Sequence, residues 1–272
     1  MYRYVTIFLF QILYSCIAVS QKHILPSTSD KKTVKGHIYG SVGWHRIYYT
    51  RSTIHFQNQK EANFDFKLIK ASAKDDNDLN IGKGFAAPQW SLRLGYVLNQ
   101  KKSWGLEFNY DHAKYILRQG QHVRINGHIN GQQIDKDTLI HPDFIEYEHT
   151  NGANYYMLNL IKKNLLYTDK KGRQLALLYK AGAGIVMPRT NSRILGFHFD
   201  DRYHVSGWLT GIESTLRYEL IKNFFTEISV KAAYANYSDV LLYGSGRASQ
   251  YWFSFQYLFT AAYQLPVFSK NN

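Results

Sequence analysis

The strongest catalytic candidate in the sequence is a histidine flanked by carboxylates. Glu146, His149, Thr150 and Asn151 all fall within residues 146–151. An acyl hydrolase needs an imidazole to deprotonate a hydroxyl, a carboxylate to orient that imidazole, and an amide to hold an oxyanion. This pattern predicts His149 as the base and Thr150 as the nucleophile. The alternative is a junction between a loop and a strand, in which Thr150 and Asn151 make local turn hydrogen bonds.

A second polar cluster could bind a metal ion. Its four members are His198, Asp200, Asp201 and His204. Imidazole with carboxylate suits zinc or another transition metal, and carboxylates alone suit calcium. The spacing matches no specific metal motif, so solvated loop residues are the competing interpretation. The sequence predicts no cofactor.

The elements that would position these residues are β-strands with alternating faces. From Tyr251 to Leu265, apolar or aromatic residues occupy every odd position, and the even positions are mixed. Successive strand side chains point to opposite sides, so the segment has one continuous apolar face. The same alternation recurs in the segments that begin at Trp90, Trp104, Trp208 and Phe224. Segments of this length can cross a bilayer at a tilt.

The mixed faces carry charges in the middle of the strands, where the core of a soluble sandwich would exclude them. The lumen of a transmembrane barrel accepts such charges. Four acids balance four bases, which predicts a salt-bridged lumen without a conducting pore; an ion-selective channel is the alternative. These residues are Arg93, Glu107, Asp111, Lys180, Glu213, Arg217, Glu227 and Lys231.

The strand count from the sequence is odd, whereas a bacterial barrel has an even number of strands. Nine strands are predicted, and eight or ten are therefore both open. A change of apolar phase between His37 and Phe56 suggests that the error lies there, at a bulge or an unrecognised turn. The predicted strands are Gly36 to Thr50, Asn63 to Ser72, Gln89 to Leu98, Ser103 to Leu117, Asn154 to Leu166, Gln174 to Met187, Gly207 to Leu220, Phe224 to Tyr237 and Tyr251 to Leu265.

The connections alternate between short and long, as periplasmic turns and extracellular loops do. Residues 99–102, 167–173 and 221–223 form the short ones, which carry many lysines. The longest connection, residues 118–153, contains two Asn-Gly steps, and either step could make a hairpin turn. We therefore expect a structured flap above the membrane.

The N-terminus predicts secretion. Residues 1–20 have the charged start, apolar run and small-residue end of a signal peptide cleaved near Ser20. The single cysteine, Cys16, lies inside this segment, which leaves a lipoprotein signal as a less favoured alternative. Residues 21–35 are predicted to form a polar leader, and residues 36–268 an all-β, antiparallel, up-and-down transmembrane barrel.

The formal net charge of +13 is compatible with nucleic-acid binding, but a secreted chain with a barrel pattern argues against it. Tyrosine and phenylalanine number 22 and 16, while the mean hydropathy is −0.36. A barrel reconciles these values because its polar residues face inward and its aromatic residues form girdles at the headgroups.

Taken together, the signal, the alternating strands, the short basic turns and the aromatic closing strand resemble small outer-membrane β-barrel proteins of Gram-negative bacteria. The resemblance implies an outer-membrane location, lipid contact and insertion by the barrel-assembly machinery, with an extracellular ligand that the sequence does not identify. Small barrels of this kind serve as adhesins, structural anchors, lipid enzymes and transporters, so the resemblance does not settle the function; the leading interpretation is a non-enzymatic structural or interaction role carried by the loops. A lipid acyl hydrolase using His149 is the first alternative and a narrow pore the second.

Overall fold

In the computed structural model of the protein, residues 34–76, 89–98 and 102–268 are described, and they form seventeen β-strands. The predicted signal peptide and nearly all of the predicted leader lie outside these residues. Within the described ranges, no helix is long and apolar enough to cross a membrane.

Eight antiparallel strands close into an up-and-down barrel, because the first strand pairs with the last through registers such as Ser41↔Ala262. The prediction of a transmembrane barrel is confirmed with eight strands, and the ten-strand alternative is excluded. The barrel strands are β1 (Val34–Tyr49), β5 (Trp90–Leu98), β6 (Lys102–His112), β11 (Tyr155–Thr168), β12 (Gln174–Val186), β15 (Gly207–Ile221), β16 (Phe224–Leu241) and β17 (Arg247–Phe268).

The outer wall of the barrel is apolar and exposed. On β17, Tyr251, Phe255 and Phe259 each expose more than half of their surface, while Ser254 and Gln256 between them are buried inside. A sheet that turns its aromatic side outward can lie in lipid, where every backbone group must be paired by the closed ladder.

The other nine strands form a second unit at one end of the barrel, which we call the cap. Four of them continue the barrel sheet from the start of β17, and five form a separate sheet in the order β14-β13-β10-β7-β4. The cap strands are β2 (Ser52–Asn58), β3 (Phe64–Ala71), β4 (Ala73–Lys74), β7 (Ile116–Leu117), β8 (His122–Ile129), β9 (Gln132–Leu139), β10 (Ile145–Glu148), β13 (Arg189–Ile194) and β14 (Phe197–Tyr203).

The cap has an apolar core between its two sheets. Phe56 on β2 contacts Tyr147 on β10 edge to face, at 5.2 Å between ring centroids, and Phe66 on β3 is fully buried beside Phe56. Burying a large apolar side chain contributes about 1.5–3 kcal/mol. The cap therefore has a packed apolar core, to which inward residues at the cap end of the barrel strands, such as Tyr155 and Leu209, also belong.

Two details of the predicted strands are wrong. Asn63 to Ser72 does not cross the membrane, since β3 belongs to the cap; this is the extra strand in the count. Ser103 to Leu117 is two strands, because Ala113 to Tyr115 interrupt it and β7 pairs with the cap sheet.

The change of apolar phase in β1 has neither a bulge nor a turn at His45, because the strand pairs with β17 in unbroken register from Gly36 to Tyr49. The inward face itself changes character there. Ser41 and His45 face the polar lumen, whereas Ile47 faces the apolar core of the cap.

The predicted flap is the hairpin of β8 and β9. Asn130 and Gly131 form its turn, and both have positive φ, 52° and 76°. That conformation is the one for which Asn-Gly is favoured in two-residue hairpins. The other Asn-Gly step, at Asn126, lies inside β8.

Candidate functional site

An ion-pair network fills the lumen, so the lumen is not an open channel. At its centre, Arg93 Nη1 lies 2.6 Å from Glu213 Oε1, and Lys180 Nζ lies 2.8 Å from Glu107 Oε2 and 3.2 Å from Glu213 Oε1. None of these four side chains is more than 3% exposed. Two carboxylates thus share two cations in a space closed to solvent.

Separate pairs lie on either side of this centre. Towards the short turns, Arg217 Nε donates to Glu227 Oε1 at 2.6 Å. Towards the cap, Lys231 Nζ lies 2.5 Å from Asp111 Oδ2 and donates to Asn109 Oδ1 at 2.9 Å. The structure therefore brings all eight charged residues chosen from the sequence into one lumen, in pairs of opposite sign.

The network also uses neutral residues that sequence reasoning missed. Tyr39 donates its hydroxyl to Glu107 at 2.5 Å, and its ring lies under the Arg217 guanidinium, 4.3 Å from the ring centroid. Thr260 donates to Glu227 at 2.8 Å, and Ser91 donates to Asp111 at 2.6 Å. The sequence could have identified these residues, because the alternation along each strand places them on the same inward face as the charged residues.

Gly95 makes room for Tyr39. The Tyr39 ring packs directly against the Gly95 backbone on the neighbouring strand, so a side chain there would collide with it. This explains a glycine in the middle of an otherwise continuous strand.

Above the lumen, stacked rings cover the mouth of the barrel. Trp252 stacks on Tyr115 at 4.7 Å and on Tyr237 at 4.5 Å, and Tyr237 stacks on His149 at 5.6 Å between centroids. All four side chains are fully buried. We call this set the aromatic layer; it separates the charged lumen from the cap core.

His149 is therefore a core residue of the cap. Its Nδ1 lies 3.1 Å from the hydroxyl of Thr190, while its Nε2 is buried without a hydrogen-bond partner among the described residues. Burial lowers the pKa of His149 to about 3, so the ring is neutral at ordinary pH. The sequence did not single out Thr190, because it lies 41 positions away.

The other predicted catalytic residues do not join His149 in one site. Thr150 donates its hydroxyl to Glu148 at 3.0 Å, Glu146 lies 3.8 Å from Arg193, and the Asn151 carbonyl accepts from Tyr203. Strand β10 ends at Glu148, and Thr150 lies in the turn that follows His149, where the Gly152 N–H donates to the His149 carbonyl at 3.2 Å. The local hydrogen bond of Thr150 agrees with the interpretation of this segment as a junction.

The four predicted metal ligands have four different partners. His198 contacts Asn191, Asp200 pairs with Arg189 at 3.1 Å, Asp201 lies 3.4 Å from Arg202, and His204 contacts Asp239 at 2.8 Å. No group of three or more His, Cys, Asp or Glu side chains in the described part of the chain could hold a metal ion. Extended β14 and the hairpin with β13 spread these residues apart.

Both cap sheets have an exposed edge, β14 in one and β9 in the other. Strand β9 is last in its sheet and pairs only with β8 among the described strands. Its side chains are mostly exposed and include Asp135, Lys136 and Asp137. Charges on an edge strand limit indiscriminate pairing with other strands.

The chain resembles small outer-membrane β-barrel proteins. It matches Neisserial surface protein A (8% identity, 84% of this chain and 99% of that one, TM-score 0.34), OprG from Pseudomonas aeruginosa (11%, 88% and 100%, 0.37) and the outer membrane protease OmpT from Escherichia coli (10%, 88% and 99%, 0.40).

No protein-family model matches the sequence, and no curated protein matches it. The similar structures include proteins of several activities, and identities this low carry no argument about function. What the chain does must be argued from its own lumen and cap.

Proposed function

We propose that this chain is an integral outer-membrane protein of a Gram-negative bacterium, in which a non-conducting barrel anchors a rigid extracellular cap that serves as an interaction surface. The observation that carries the proposal is the division of the molecule into a lumen filled with paired charges and a cap with its own apolar core. A protein built to conduct would keep its lumen open, and a loop without a fixed role would not need a packed core.

The direction of insertion follows from the two ends of the barrel. The short connections lie opposite the cap, at the end of the barrel where Val34 pairs with Phe268. Short turns belong to the periplasmic side of bacterial barrels, so the cap faces outward. The predicted signal peptide, cleaved near Ser20, delivers the chain to the barrel-assembly machinery.

The interaction surface in this proposal includes the β8–β9 hairpin. Strand β8 pairs with β3 and buries Val123 and Ile125 in the cap core, while β9 keeps an open edge where a partner protein could add a strand. The exposed charges of β9 would restrict which partner fits. The buried position of His149 supports a structural role for that residue over the hydrolase alternative.

Three measurements test this proposal. Outer-membrane fractionation and heat-modifiable migration test the location and the barrel, and a soluble periplasmic protein would contradict both. Planar-bilayer recordings test the lumen; we expect no conductance steps from the wild type.

The interaction role is tested by site-specific photocrosslinking in cells, with a benzophenone side chain at Gln133 on β9 and a matched one at Lys222 in a periplasmic turn. We expect an adduct of defined mass from Gln133 only. It should disappear when Lys136→Glu and Asp137→Lys reverse the charges of the open edge, a change that keeps β8 and its pairing with β3. Equal adducts at both positions, or none at Gln133, would contradict the proposed surface.

A further inference from the structure

The outer wall of the barrel is hollowed across β11, β12, β15, β16 and β17. Small outward side chains form the floor of this groove: Ala181, Ser214 and Ala232. Larger apolar side chains stand around them, and the groove has a volume of about 580 Å³. The bordering residues are Trp104, Leu160, Tyr179, Ile212, Val230 and Phe255.

The strand registers explain the hollow. Ala181 and Ala232 flank Ile212 in one row of paired residues, and Ser214 lies between Tyr179 and Val230 in the next row towards the short turns. Small and large side chains alternate along both rows. The outer surface is therefore indented at the small residues, because the larger residues beside them extend further outward. The volume lies within the range of about 300–1,000 Å³ that is usual for small-molecule sites.

A cation stands at the edge of this apolar groove. Lys162 is half-buried on the outer face of β11, with Nζ 4.3 Å from the centroid of the Trp104 ring, and it forms no ion pair with any described residue. A lysine on a lipid-facing wall places its apolar stem along the wall and its charge towards the headgroups.

The turn after the strand that carries Lys162 is positively charged. The turn that joins β11 to β12 carries exposed Lys170 and Lys171, and its acid, Asp169, is already paired with Arg173 at 2.7 Å. Basic side chains next to a membrane surface attract anionic headgroups.

We propose that this groove binds an acyl chain of an anionic phospholipid of the periplasmic leaflet, with the lipid phosphate on Lys162. Lys180 and Lys231 also line the groove, but their side chains are paired in the lumen, which leaves Lys162 as its outward-facing cation. An apolar groove with one outward cation fits a lipid whose acyl chain is joined to a phosphate headgroup. Trp104 positions the ammonium group through its ring, and the small residues admit the chain against the wall. The site is separate from the cap, so it does not depend on what the cap binds.

The experiment is native mass spectrometry of the purified full barrel, released from detergent after incubation with phosphatidylglycerol or with phosphatidylcholine. We expect the wild type to retain phosphatidylglycerol about threefold more than phosphatidylcholine, the size expected of one partly exposed ion pair. Lys162→Gln should remove this preference, and Ala181→Phe should lower the retention of both lipids by filling the groove.

Two control variants keep the result interpretable. Ala183→Phe places the same ring on the outer face of β12, away from the groove lining, and Lys222→Gln removes a periplasmic lysine elsewhere. Both should retain lipid as the wild type does, and heat-modifiable migration shows that every variant is folded. Equal retention by Ala181→Phe and Ala183→Phe would overturn the proposal, as would a headgroup preference that Lys162→Gln leaves unchanged.

Discussion

The barrel and the cap bury opposite kinds of side chain. The barrel turns its aromatic residues outward and its charges inward, as Phe255 and Lys231 show on paired strands. The cap buries Phe66 and exposes Lys67, its neighbour on β3. Lipid surrounds one unit and water the other, so the solvent decides which face of an alternating strand is the outside.

The boundary between the two units runs through single strands. In β1, Ser41 is inward in the polar lumen and Ile47 is inward in the cap core, with no irregularity between them. In β17, Gln256 and Trp252 make the same change over four residues. The aromatic layer lies at the level where the inward face changes from polar to apolar. The following variants test whether the two cores respond differently to substitution.

The largest expected effect comes from leaving a charge unpaired in the lumen. Arg217→Met should reduce the free energy of unfolding by about 3–5 kcal/mol, because it leaves the buried Glu227 carboxylate without its cation. Replacing both residues by methionine should restore much of that loss. Denaturant unfolding of the protein in lipid bilayers measures both changes.

The matched control is the exposed pair in the cap hairpin. Arg124 and Asp135 are 2.7 Å apart and are 62% and 38% exposed. Arg124→Met should cost less than about 1 kcal/mol, as surface pairs do. Similar losses from the two arginine variants would show that the lumen is not closed to water.

In the cap, the corresponding change is a cavity. Leu68→Ala removes a fully buried side chain from the apolar core and should cost about 2–4 kcal/mol. The loss should appear as faster proteolysis and hydrogen exchange in the cap, while heat-modifiable migration of the barrel is unchanged. Cooperative loss of the barrel as well would mean that the two cores are one folding unit.

Acid should weaken the cap selectively through His149. The pKa of His149 is about 3 in the folded state and about 6.5 when unfolded. The unfolded chain therefore takes up a proton below pH 6.5 and the folded one does not, so stability falls as the pH drops from 6.5 towards 3. At pH 5 the loss is about 2 kcal/mol.

Hydrogen exchange of the cap between pH 6.5 and 5 measures this effect after correction for intrinsic rates. His149→Gln should remove the pH dependence in that range, and His141→Gln, at an exposed histidine, should keep it. A pH dependence that survives in His149→Gln would assign it to other groups.

The smallest effect tests the hairpin turn. Gly131→Ala places a side chain at φ 76° and should cost about 1 kcal/mol, confined to β8 and β9. Amide exchange in the hairpin measures it. Equal increases in exchange throughout the cap would contradict a local effect of this turn.

The sequence predicted the barrel because alternation repeated with charges on the inner face; the outward Phe253 and inward Gln256 of β17 are typical. The prediction failed at β3 because alternation does not say which face meets solvent. The apolar face of Phe64, Phe66 and Leu68 would be equally suitable on the lipid-facing side of a barrel strand. The apparent phase error at His45 had the same origin.

The candidate sites were less predictable from sequence. The alternation of inward and outward side chains identified the charged lumen residues. Their partners, however, come from strands that are distant in sequence, as Glu107 does for Lys180. Adjacency in sequence suggested Thr150 as the partner of His149, whereas folding supplies Thr190. The groove on the outer wall depends on rows of residues across five strands, which no local pattern shows.

The central claim is tested most directly by a spin-label scan along β17 in lipid bilayers, with single cysteine substitutions from Arg247 to Leu265. We predict oxygen accessibility that alternates with period two from Tyr251 onward, water-phase accessibility at Arg247 and Ser249, and inward positions such as Ser254 and Gln256 closed to a water-soluble nickel reagent. Nickel access at Ser254 and Gln256 would show an open lumen, and accessibility without alternation would contradict the barrel and its boundary with the cap.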